Sequence, residues 1–92
     1  GARRVASAAL EWTGKHPVQS VVVSDESAVR GCLEFANRHR ILVEPACGAG
    51  LSVIYEKAEC LSGAQRILVV VCGGIGVDFD QLSRWASQLK IR

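Results

Sequence analysis

The stretch ILVVVCGGIGVDFD, residues 67–80, decides how this chain is read. Six apolar residues, 67 to 72, run without a break into Gly73-Gly74. A short β-branched run bounded by glycine is the pattern of a strand covered on both faces, as in a parallel sheet. Working outward, VQSVVV at 18–23 and ILV at 41–43 are two further short β-branched runs. Helical patterns lie before, between and after them. Val5, Ala8, Ala9 and Trp12 share one face, with Gly14 as a stop. Ser24 caps a second helix whose inward face is Ala28, Val29, Cys32, Leu33 and Ala36. Pro45 opens a third, rich in small residues, with Leu51, Ile54 and Tyr55 as its stripe. Asp78, three before Gln81, opens a fourth that carries Leu82, Trp85, Ala86 and Leu89. Alternation of this kind predicts an α/β fold, a three-layer parallel sheet flanked by helices.

Ninety-two residues are one small domain or a segment of a larger one. A chain of this size buries roughly 60–65% of its unfolded surface, which makes an independent fold marginal. An apolar share of 49%, with 22% charged, argues for a packed interior and against disorder. Net charge is +2, and the clusters Arg3-Arg4 and Arg38-His39-Arg40 are too short to mark a nucleic-acid surface; they read as solvated faces. Cysteines stand at 32, 47, 60 and 72, with no C-x-x-C pair and no histidine at zinc-finger spacing. Cys32 and Cys72 fall inside apolar patterns, where a reduced thiol acts as a small hydrophobe. The expectation is a reducing, cytoplasmic setting, with no metal and no membrane span. The chain begins at Gly1, which suggests an excerpt of a longer protein.

In open α/β sheets, ligands bind beyond the carboxyl ends of strands. Two such ends carry unusual residues: Glu44-Pro45-Ala46-Cys47-Gly48 after Val43, and Cys72-Gly73-Gly74 after Val71. Parallel pairing is expected to bring both to one edge. Glycine lets a ligand approach the backbone. Each residue also has a plainer reading: Cys72 as a packed core thiol, Glu44 as a charge favoured at a helix start, Gly73-Gly74 as a tight turn. GGIG at 73–76 lacks the third glycine of a dinucleotide fingerprint.

Taken together, ILVEPACGAGLSVIYE and ILVVVCGG closely resemble the C-terminal part of the L-serine dehydratase and threonine deaminase family, fold-type II pyridoxal-phosphate enzymes. The upstream SDESAV, opening a helix, is similar too, and the resemblance covers roughly residues 1 to 90. It implies that residues 1–92 are a single α/β segment of a larger cofactor-binding domain. It also implies that Cys72 faces the ring nitrogen of pyridoxal 5'-phosphate, that Glu44 lies beside the ring and that Gly73 leaves room for it. A neutral thiol moderates the ring's electron-sink role, which suits β-elimination. The family reaction converts L-serine to pyruvate, or L-threonine to 2-oxobutyrate, with release of ammonia. A homodimer, or association with the remainder of the enzyme, is the expected assembly.

The departures are as specific. Ile75 stands where the family carries serine or asparagine after the two glycines, and the stretch from Tyr55 to Ile67 is shorter than usual. The family's Schiff-base lysine lies in an S-x-K-x-R-G type motif. Lys15, Lys57 and Lys90 are the lysines here and none has that setting; the glycine-rich phosphate loop is missing as well. The 92 residues alone are expected to be catalytically silent. The alternative is a non-catalytic α/β interaction module derived from the family.

Overall fold

The computed structural model describes residues 3–91. Among these residues four α-helices follow one another: α1 (Ser7–Trp12), α2 (Asp25–His39), α3 (Pro45–Tyr55) and α4 (Phe79–Gln88), with a single 3-10 turn at Glu59–Leu61.

The longest helix, α2, is the one whose local signals agree best. The Ser24 hydroxyl accepts from the Ser27 N–H at 3.0 Å, acidic Asp25 and Glu26 sit in the first turn, and Arg38 and His39 in the last. Capping and dipole therefore favour the same boundaries. Glu26–Arg30 and Glu34–Arg38 pair one turn apart along its exposed side. In α3, Pro45 occupies the first turn, where its missing N–H is not needed. In α4, the Asp78 carboxylate accepts from the Gln81 N–H at 2.8 Å. Asp78→Ala should lose that cap and cost about 1 kcal/mol, read as an earlier urea midpoint with α4 fraying first in amide exchange.

The centre of the molecule is the α2–α3 crossing. Gly31 faces Gly48 so closely that a methyl group on either would run into the other helix's backbone. The core around this crossing is Cys32, Val43, Cys47, Leu51, Val77 and Leu82, with Leu33, Phe35, Tyr55 and Trp85 packed against it. Leu82 brings α4 onto α2. A hydroxyl–carboxylate bond from Ser27 to Glu56, 2.8 Å, ties the start of α2 to the end of α3.

The expected parallel sheet is not there. Among the described residues there is no strand, and the α/β reading is corrected to an all-helical arrangement joined by irregular segments. Residues 18–23 and 67–72 carry no regular secondary structure and are largely exposed: Val22 is 93% accessible, Leu68 91% and Val70 73%. β-propensity expresses fit to a half-buried pleated surface rather than a backbone preference, and here these side chains meet no such surface. Among the described residues, the only backbone bond linking segment 41–44 to segment 67–74 is Glu44 N–H to Gly73 O, 3.1 Å, too little for a ladder. Only Val43 of the second run is fully buried. The first helix is corrected also: it has no buried residue, and Trp12, expected inward, is 53% accessible. There Trp12 stacks on His16, ring centroids 5.4 Å apart, with the Lys15 ammonium 4.9 Å over its face.

Candidate functional site

The start of α3 and the segment after residue 71 meet. Glu44 precedes the first turn of α3, and its N–H donates to Gly73 O. Three residues on, Cys47 points its sulfur at the same segment. The Cys72 N–H donates to Cys47 Sγ at 3.2 Å, and the Cys47 thiol lies 3.7 Å from Gly73 O. Residues 25 apart in sequence are thereby fastened together at one sulfur atom. Cys47 is nearly inaccessible, whereas Cys72 is exposed.

Gly73 and Gly74 are both needed, for different reasons. Gly73 has φ of +149°, which disfavours any residue with a Cβ, yet the space where its Cβ would stand is open to 4 Å. Gly74 is sterically pinned: a Cβ would collide with the Leu42 carbonyl oxygen and lie 3.1 Å from Val43 Cα. Gly74 thus lets the two backbones touch, and Gly73 presents a bare backbone beside them. The half-buried Glu44 carboxylate reaches toward Gly76, with Oε2 3.5 Å from where a Cβ would stand. Ile75, in contrast, is fully exposed.

Glu44, Cys72 and Gly73, singled out in the sequence, are thus neighbours, though by one backbone bond and one thiol rather than by parallel pairing. Cys47 is the residue that sequence reasoning passed over as a site member. Its position one helical turn after Glu44 was the available signal, since such spacing puts both at the same end of α3. Cys32 lies behind this layer, fully buried, and burial pushes its thiol up to about 11. It stays protonated at neutral pH and is inert as a nucleophile.

No lysine joins this cluster. Lys57 lies just past the far end of α3, a helix of 11 residues that at 1.5 Å rise per residue is itself roughly 16 Å long. Lys15 belongs to the Trp12 stack, and Lys90 is exposed after α4. Among the described residues there is no group of three or more His, Cys, Asp or Glu placed to hold a metal ion. No helix among them is long and apolar enough to cross a membrane.

Comparison with known proteins assigns the class. The sequence profile of pyridoxal-phosphate dependent enzymes matches residues 1–73, and the chain belongs to that family. The match takes in Glu44, Cys72 and Gly73. The relatives narrow it further. An L-serine dehydratase of Dictyostelium discoideum is 43% identical over 84 residues, covering 88% of this chain and 24% of its own. The L-serine dehydratase/L-threonine deaminase of Homo sapiens is 38% identical over 98 residues, covering 97% of this chain and 30% of its own. A putative truncated L-serine dehydratase of Saccharomyces cerevisiae is 32% identical over 95 residues, covering 95% and 45%. The chain spans about a quarter to three tenths of the length of the first two.

The residues present fit one side of a flat aromatic cofactor. The open face at Gly73 admits a ring against bare backbone, and the adjacent exposed thiol of Cys72 both donates and accepts hydrogen bonds. The phosphate end and the covalent attachment point have no counterpart among these residues.

Proposed function

We propose that this chain is a segment of the cofactor-binding domain of a cytoplasmic, pyridoxal-phosphate dependent L-serine/L-threonine dehydratase. In that protein Cys72 contacts the ring nitrogen, Gly73 leaves room for the ring and Glu44 lies along its side. When bound, pyridoxal phosphate supplies the electron sink that weakens bonds at the α-carbon of an amino acid. These residues orient the ring and hold a neutral hydrogen-bonding group at its nitrogen. The products are pyruvate from serine or 2-oxobutyrate from threonine, each with ammonia.

The observation that carries this reading is the junction itself: Glu44 on Gly73 and Cys47 on Cys72, beside an open backbone face. The lysine and phosphate loop must come from other residues, so the 92-residue chain alone should be silent. Incubated with pyridoxal phosphate and L-serine, it should release no pyruvate above the cofactor-only background. The natural polypeptide, isolated with antibody to this chain, should be several times heavier and release pyruvate. Pyruvate from the 92 residues alone would overturn the assignment of roles.

The exposed Val22, Leu68, Val70 and Ile75 favour a second reading, a non-catalytic module that associates through these side chains. A natural product of about this length, forming a monodisperse oligomer, would establish it in place of the first.

A further inference from the structure

We propose that Cys47 and Cys72 are a disulfide-forming pair, and that peroxide oxidation joins them across the junction. The amide of Cys72 stands 3.2 Å from Cys47 Sγ. With that amide pointing at the sulfur, Cys72 Cα lies about 4 Å from it, and the Cys47 side chain adds at most about 3 Å. The two Cα atoms are therefore no more than about 7 Å apart, at the outer edge of the span a disulfide bridges. The Cys72 sulfur is itself about 3–4 Å from its own amide in any staggered rotamer, so rotation about one bond carries it toward Cys47. The segment is held for this encounter by Glu44 N–H on Gly73 O and by the Gly74–Leu42 backbone contact.

The four cysteines divide the work by exposure. Cys72 is open to solvent and meets the oxidant; Cys47 is shielded and acts second. Cys32, buried and protonated, takes no part. Cys60 is exposed on the 3-10 turn, away from the Glu44–Gly73 junction in sequence. The Cys72 thiolate attacks hydrogen peroxide: an S–O bond forms, the O–O bond breaks, and the departing hydroxide takes a proton to leave as water. The Cys47 sulfur then attacks the sulfenic sulfur; the S–S bond forms as the S–O bond breaks, and a second water leaves with the Cys47 proton. Two thiols lose two electrons and one peroxide becomes two waters. The bond would take from Cys72 the S–H that the cofactor reading places at the ring nitrogen. That consequence rests on the reading above; the bond does not.

The test is disulfide mapping of the full 92-residue chain after limiting hydrogen peroxide, under native conditions and in guanidinium chloride. The expected native product is a monomer lighter by two hydrogens, whose cross-linked peptides carry Cys47 and Cys72. In denaturant that preference should give way to the shorter loops, Cys47–Cys60 and Cys60–Cys72, which chain entropy favours. Cys47→Ser should leave the Cys72 sulfenic acid unresolved and trappable by dimedone. Native bonds to Cys60 or Cys32, disulfide dimers, or Cys72 driven to sulfinic acid with Cys47 still reduced would each overturn the proposal. No cofactor enters this readout, so failure of the cofactor reading would leave a mapped bond standing. Absence of the bond would equally leave that reading intact.

Discussion

Gly48→Val should be among the most damaging single changes in the chain, lowering stability by about 3 kcal/mol. For a domain of this size that is a fall of about 12–24 °C in Tm. A Cβ at Gly48 would collide with the Ala28 carbonyl oxygen and come within 2.5 Å of Cys32 Sγ. The first obstacle is backbone, which has no rotamer to change, and the second is a fully buried thiol in the core. α2 and α3 have to separate, and the layer of Cys32, Cys47 and Leu51 loses its packing. Gly50, two residues on in the same helix, provides the control. Its Cβ would meet nothing within 4 Å, so Gly50→Ala should stabilise α3 by about 0.5–1 kcal/mol. Thermal unfolding followed by circular dichroism reads both. If the two substitutions moved Tm alike, close approach at Gly48 would not be what holds these helices together.

Gly74→Ala should take the candidate site apart while sparing the helices. A Cβ there would meet the Leu42 carbonyl, with the carbonyl carbon at 2.7 Å, so segment 72–74 has to lift from segment 42–44. The Glu44–Gly73 bond and the Cys72–Cys47 contact then go together. At about 2 kcal/mol for the displaced backbone, the natural pyridoxal-phosphate protein should bind its cofactor about thirtyfold more weakly. Amide exchange at Glu44 should quicken even without cofactor, while α2 amides keep their protection. An unchanged Glu44 amide would show that the two segments do not depend on Gly74 to meet.

These two glycines mark where the sequence was and was not legible. Helices could be read because their signals are local: Ser24, Pro45 and the Asp78–Gln81 spacing each act within one turn. The runs at 18–23 and 67–72 misled because a strand is defined by its neighbour, and one bond from Glu44 to Gly73 supplies no ladder. Gly48 looked like part of a small-residue tract, and only the facing Ala28 and Gly31 show why it is required. In the candidate site, the meeting of Glu44, Cys72 and Gly73 was expected for the wrong structural reason. Cys47, whose sulfur meets Cys72 and Gly73, carried no pattern of its own beyond its distance from Glu44.

The two tryptophans make the molecule its own pair of optical reporters. Trp12 stands in solvent on a helix with no buried residue, against His16 and Lys15, while Trp85 is packed against the Leu82 layer. Their emission therefore originates in two environments, one wet and set by neighbours in sequence, one partly dry and set by the fold. A red shift on unfolding comes mainly from Trp85, so the emission wavelength of this chain follows the docking of α4 more than the fate of α1.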